Sequence, residues 1–331
     1  MTSKKKIYHF YHHSKSQNYI VAAAIGEKAF REWKLYSYKL WITYCKKNNI
    51  GLLVFKDYII DKKNPYWKSA TWQKNLFGKF IVENITDIKI KNICLLDLDI
   101  LVNPLAPNIF KSHKKNCISV VSQLKNLPYK NSDNTIRRKI AFFRKHFYDK
   151  SYPLDSSLTM SNKQTFNFHG FKDPGNYFCL GVLVFNVKKF SNFFSNIYYK
   201  YKPLTRSITG GNEPFLNFEI QKKTKINWLD YKFQVIWNFE VVEKYPFLYE
   251  LKKNKGEIVK KCIESSLFDN YFVHFSGSWY DSDHWKIKNI FFNRKFMEMY
   301  KKFRRYKTRK LKNKPHKLRI IPKGLSKVKK I

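Results

Sequence analysis

The sequence predicts an α/β protein with a mostly parallel sheet flanked by helices, and three observations carry that expectation. Short, continuously apolar runs alternate with longer segments whose apolar residues recur every three or four positions, the pattern of buried strands separated by amphipathic helices. Gly and Pro are sparse, 11 of each in 331 residues, and neither an internal repeat nor a Gly/Ser-rich linker divides the chain. Charge is uneven only towards the end, where residues 301–331 hold 15 Lys/Arg and no Asp or Glu. The expectation is one compact domain over residues 1–300, followed by a basic C-terminal tail over 301–331.

A β-prone run at 6–10 opens the chain as a strand, and the polar stretch 12–18 reads as its loop. Ala29, Trp33, Tyr36, Leu40 and Tyr44 form a helical stripe over 27–48, with Gly51 after its end and a second strand at 52–55. Thr71 stands where it can cap a helix running to about Val82, with Trp72, Leu76 and Phe80 on one face, and a short apolar strand comes next at 92–96. Further strands are expected at 117–123, 181–185, 225–229 and 272–275, and helices at 135–148, 188–201, 213–222 and 287–305.

Composition excludes several classes. Apolar residues make up 44% and aromatics 18%, enough burial to rule out wholesale disorder. No run approaches the ~18 to 20 apolar residues of a membrane-spanning helix. Nothing after Met1 reads as a secretory signal, so a cytoplasmic location is expected. Cys45, Cys94, Cys117, Cys179 and Cys262 are odd in number, with no CxxC pair, and read as reduced thiols. The net charge of +41 invites a polyanion partner, but only 10 of the 65 basic residues are Arg. Base-reading proteins favour Arg for its bidentate fork, and no zinc-finger or RNA-recognition signature is present, which argues against nucleic acid. The tail reads either as a solvated end or as a polybasic patch that holds the chain against an anionic membrane.

The chemistry concentrates after the strand at 92–96, in Leu95-Leu-Asp-Leu-Asp-Ile-Leu-Val-Asn-Pro104. Two carboxylates one residue apart, at the carboxyl end of a buried strand, stand where open α/β sheets bind ligands. Burying like charges is costly unless a cation compensates, and hard divalent ions with oxygen ligands keep positions open for phosphates. A metal-bound diphosphate is the natural inference for Asp97 and Asp99.

At these residues the chain resembles the nucleotide-sugar glycosyltransferases of the GT-A (Rossmann-like) fold, of the glycogenin and lipopolysaccharide-galactosyltransferase type. The acidic pair in Cys94-Leu-Leu-Asp-Leu-Asp-Ile-Leu-Val-Asn103 is similar to theirs. So, in order, are Trp72-Gln-Lys74, Phe178-Cys-Leu-Gly-Val-Leu-Val-Phe-Asn186, Asn212-Glu-Pro-Phe-Leu-Asn217 and Val273-His-Phe-Ser-Gly277. The likeness runs from about Lys6 to Trp285. It departs from the family at Cys179, where Asn is usual, at Glu213-Pro214 in place of Asp-Gln, and after Gly277, where Lys-Pro-Trp is replaced by Ser278-Trp-Tyr-Asp-Ser-Asp-His-Trp285.

The resemblance implies a metal-dependent glycosyltransferase that takes a nucleotide sugar, a UDP-sugar in the first instance, to a glycan or lipid-linked acceptor in cell-surface polysaccharide synthesis. Asp97, Asp99 and His274 would hold Mn2+ or Mg2+; read alone, His274 fits a core histidine in a strand better than a ligand, and the acidic pair and Gly277 turn the reading to the metal. Tyr11, Lys74, Asp97, Gly277 and Lys286 would contact the donor, with His12 beside Tyr11 and with Lys286 or His284 in place of the missing diphosphate lysine. Glu213 is the candidate catalytic carboxylate, or else a helix-start acid favoured by the dipole. Trp279 and Trp285 are candidates for an acceptor platform. The competing functions are a metal-dependent nucleotidyltransferase and a basic RNA- or membrane-binding protein without catalysis.

Overall fold

The computed structural model describes residues 7–148, 160–202, 211–250, 256–277, 280–290, 295, 298–299 and 301–302. The chain divides into two units, residues 1–291 and 292–331, and every element named below belongs to the first. Its strands, in chain order, are β1 (Tyr8–His12), β2 (Asn18–Ala23), β3 (Gly51–Phe55), β4 (Asn92–Leu96), β5 (Ile100–Val102), β6 (Ile118–Val120), β7 (Val182–Asn186), β8 (Ile226–Trp228), β9 (Val235–Ile236) and β10 (Phe272–His274). Its helices are α1 (Glu27–Tyr36), α2 (Tyr38–Asn48), α3 (Ala70–Asn84), α4 (Asp133–Phe147), α5 (Asn162–Phe168), α6 (Val187–Lys200), α7 (Glu213–Lys223), α8 (Trp237–Lys244) and α9 (Gly256–Asp269).

Seven strands make the main sheet in the order β1-β3-β2-β4-β7-β6-β8. Strands β2, β3, β4, β6 and β8 run one way, whereas β1 and β7 run the other, so the mostly parallel, helix-flanked sheet is present. A smaller sheet, β5-β10-β9, stands beside it. The chain passes from one sheet to the other at the Asp97-Leu98-Asp99 turn, between β4 and β5.

Strand β2 has no counterpart among the strands expected from sequence, although Tyr19, Ile20, Val21 and Ala22 are buried at the centre of the sheet. Because β2 is the first strand of the parallel set, β1 is an added antiparallel edge. The stripe over 27–48 is broken at Ser37, whose side chain is fully buried and donates to the Leu98 carbonyl at 3.0 Å. The α3 N-cap is Ser69, two positions before the Thr71 expected there. Of the helix expected over 287–305, residues 287–290 form coil and turn, residues 295, 298–299 and 301–302 are helical, and the others lie outside the described residues.

Helices α3 and α6 cover one apolar face, with Phe77, Ile81, Phe190, Phe194 and Ile197 packed on Leu53, Phe55, Leu95 and Phe185. The Phe55 and Phe77 rings stack with centroids 3.9 Å apart. Each such side chain contributes about 1.5–3 kcal/mol when fully buried. Helix α2 packs against β1, β3 and β5, and its Trp41 donates through Nε1 to the Ile100 carbonyl at 2.8 Å. The backbone that carries the acidic pair is thereby clamped from the helical side.

Candidate active site

The acidic turn is held by its own backbone bonds. Asp97 N–H donates to the Gly181 carbonyl at 3.0 Å, Ile100 N–H to the Asp97 carbonyl at 3.2 Å, and Phe275 N–H to the Asp99 carbonyl at 3.0 Å. The last bond continues the antiparallel ladder in which His274 pairs with Ile100. His274, distant in sequence, therefore meets the acidic pair: its Nε2 lies 3.3 Å from Asp99 Oδ1 and 3.9 Å from Asp97 Oδ2.

The ligand atoms of Asp97, Asp99 and His274 all lie within 4.8 Å of one another. Two carboxylate oxygens and one imidazole nitrogen suit a divalent ion that keeps positions open for other oxygen ligands. The ring is buried while both carboxylates are partly exposed, so the donor set is braced from within and open towards the cavities. These residues fit Mn2+ or Mg2+. Burial would lower the His274 pKa, but the Cys179 sulfur and the Asp99 carboxylate beside it raise it well above the usual histidine range.

Lys74, from the first turns of α3, pairs with Asp97. Burial alone would lower its pKa, yet Asp97 and Asp99 together hold it above the usual lysine value. The ammonium remains charged beside the acidic pair.

Two adjoining cavities share Thr71, Lys74, Asp97 and Asp99. The first, about 280 Å3, is lined also by Arg137, Glu213, Asn238, His274 and Gly277. The second, about 240 Å3, reaches Ala23 at the end of β2, Glu32 of α1 and Trp285. Glu213 opens α7, and its Oε2 accepts from Leu180 N–H at 3.2 Å. Burial raises its pKa above the usual carboxylate value, partly offset by the Leu180 amide, the Tyr177 hydroxyl and the Arg137 guanidinium. Arg137 Nε is in turn paired with Asp133 at 3.0 Å.

Some expected site residues lie elsewhere. Tyr11 falls in a bulge between the pairs Phe10 with Leu53 and His12 with Leu52, towards the start of β3 and away from the carboxyl ends of the parallel strands. Its ring packs on Trp33 and Tyr38, with centroids 5.1 and 5.5 Å away, and it lines neither cavity. Tyr11 and His12, expected at the donor, therefore stand apart from the two cavities that hold the acidic pair. Trp285 packs edge-on against Tyr36 at 5.7 Å and lines the second cavity, not the one containing Glu213. Lys286 is engaged by Asp283 at 2.9 Å and Glu32 at 3.4 Å. His284 is buried and accepts from Trp237 Nε1 at 3.0 Å. Trp279 lies outside the described residues.

The structure also brings in residues that motif spacing did not single out, among them Arg137, Asn238 and Gln234. Gly181 is the one signal that stood in the sequence. A Cβ there would lie 2.4 Å from His274 Cε1 and 2.8 Å from Gln234 Nε2, so only glycine lets the histidine reach the acidic pair.

No protein-family model matches this chain, and no curated protein matches it. Among solved structures it is similar to a glycosyltransferase involved in glycosylation of the major capsid of PBCV-1, at 12% identity and a TM-score of 0.45 over 82% of this chain and 99% of that one. It is also similar to the bifunctional glycosyltransferase WbbM, at 13% identity and a TM-score of 0.43 over 87% of this chain and 52% of that one. A third is the galactosyltransferase LgtC in complex with donor and acceptor sugar analogues, at 12% identity and a TM-score of 0.39 over 86% of this chain and 95% of that one.

Proposed function

We propose that this protein is a metal-dependent glycosyltransferase that moves a sugar from a nucleotide-sugar donor to a hydroxyl acceptor. The observation that carries the proposal is the Asp97, Asp99 and His274 cluster at the junction of two cavities, one of which contains a half-buried carboxylate, Glu213. Bound by those three side chains, Mn2+ or Mg2+ would neutralise charge on a departing nucleoside diphosphate. The remaining work belongs to the chain. Lys74 places a fixed cation beside the acidic pair, where diphosphate oxygens would lie, so that leaving-group charge meets a preorganised partner. Glu213, oriented by the Leu180 amide, accepts the acceptor hydroxyl proton or faces the sugar ring. Gly277 lines the same cavity with φ +100°, a backbone conformation that favours glycine, and is proposed to contact the donor. Lys286 and Trp285, beside the second cavity, are proposed to touch the donor, and Trp279 the acceptor.

The donor is proposed to be a UDP-sugar and the acceptor a glycan or lipid-linked saccharide in cell-surface polysaccharide synthesis, met by a cytoplasmic enzyme at an anionic membrane. The test is a panel of nucleotide sugars with the purified protein and Mn2+, scored for hydrolysis and thermal stabilisation. One donor is expected to stabilise the protein only when metal is present and to release nucleoside diphosphate. Pyrophosphate release instead would make it a nucleotidyltransferase, and no response to any donor would overturn the proposal.

A further inference from the structure

Gln234 lies immediately before β9, which pairs in parallel with β10 so that Val235 stands beside Val273 and Ile236 beside His274. Only 2% of its surface is exposed. Its amide nitrogen is 3.2 Å from His274 Nδ1, and its amide oxygen Oε1 is buried without a hydrogen-bond partner among the described residues. The opposite ring nitrogen, Nε2, faces Asp99 and Asp97. Gly181 leaves no Cβ between the amide and the ring.

A histidine that ligates through Nε2 must offer its lone pair there and carry its proton on Nδ1. Nδ1–H then needs an acceptor, and this partner sets the tautomer and the plane of the ring. A half-turn of the Gln234 amide exchanges its oxygen and nitrogen within the same space. That turn brings the unpartnered oxygen to Nδ1, where it accepts the ring proton, and moves the amide nitrogen to the oxygen's former place. The Cys179 sulfur, 3.5 Å from the same nitrogen, is a much weaker acceptor.

We infer that Gln234 is a positioning residue that holds His274 in its metal-ligating tautomer by accepting the Nδ1 proton. The inference rests on the proposed metal site and extends it to a side chain one layer behind the ligands. Loss of such a partner typically lowers metal affinity about 10- to 100-fold.

The experiment compares wild type, Gln234→Met and Gln234→Glu in Mn2+ binding followed by electron paramagnetic resonance, without substrate, alongside thermal denaturation of the metal-free proteins. Met fills the same volume but accepts no proper hydrogen bond, so its affinity is expected to fall about 10- to 100-fold. Glu keeps an acceptor on Nδ1–H and is expected to stay within a few-fold of wild type. A Met variant that binds Mn2+ as tightly as wild type overturns the inference, because Gln234 then only fills space. Equal losses in both variants, or losses that track a fall in melting temperature, also overturn it. If wild type itself shows no Mn2+ binding, the metal site fails, and the inference fails with it.

Discussion

Asp99 faces the His274 ring with its carboxylate, and Asp99→Asn replaces that charge by an amide of equal volume. The variant is expected to fold normally and to lose most Mn2+ affinity and metal-dependent turnover, which titration calorimetry and a donor-hydrolysis assay would check; wild-type turnover would remove the acidic pair from the mechanism. Glu213→Gln should behave differently, keeping donor binding while transfer falls by about 10^2 to 10^4. If it transfers normally, Glu213 is only an acid favoured at the start of α7. Glu213 also predicts a pH effect. Its pKa is raised above 4.5 by burial, so transfer should rise with pH through that raised value, and the limb should vanish in Glu213→Gln. The same shift means that the folded state holds this proton more tightly than the unfolded chain. Its contribution to stability is therefore present at low pH and declines between 4.5 and the raised value.

At the scale of elements, the site depends on segments that carry no ligand. The break between α1 and α2 lets Ser37 bond the Leu98 carbonyl between the two aspartates. Helix α4 contributes Arg137 to the first cavity, and its Arg144 forms a buried pair with Asp281, with nitrogen and oxygen 3.0 Å apart. Asp281 belongs to the short 3-10 turn Tyr280–Trp285, so this pair ties α4 to the segment after the histidine strand. Removing one partner of such a pair leaves an uncompensated buried charge. Asp281→Ala should cost about 3–5 kcal/mol in chemical denaturation, whereas an exposed pair such as Lys79 with Glu83 should cost less than about 1 kcal/mol. A loss no larger than that of the surface pair would mean that this tether does not hold the segment.

For the whole molecule, charge sets the expectation. Residues 301–331 carry 15 basic and no acidic residues, each worth about 1 kcal/mol near an anionic bilayer before screening. Deleting residues from Lys307 onward is expected to leave turnover on a soluble acceptor unchanged while abolishing co-sedimentation with anionic vesicles at moderate salt. Vesicle binding retained by the truncated protein would shift the membrane contact to the +26 carried by residues 1–300.

Local chemistry was legible in the sequence because it needs only neighbours. The Asp97-Leu98-Asp99 spacing, the apolar run before it, Glu213 at a helix start and His274 within a strand could all be read without a fold. Strand periodicity likewise marked β3, β4 and the segments around β6, β7, β8 and β10. What sequence could not supply was register and partnership. β2 went unmarked although Gly26, with φ +88°, separates the run from Tyr19 to Ala23 from α1, because a short unalternating run of small and apolar residues has no period of its own. Gln234, Arg137 and Asn238 look like any polar residues until β9 is laid beside β10 and α4 against the first cavity. The meeting of His274 with a turn more than 170 residues earlier is decided by the antiparallel pairing of β5 with β10. A hydrogen-bond ladder between distant segments has no signature in the composition of either, so only the tertiary structure could determine it.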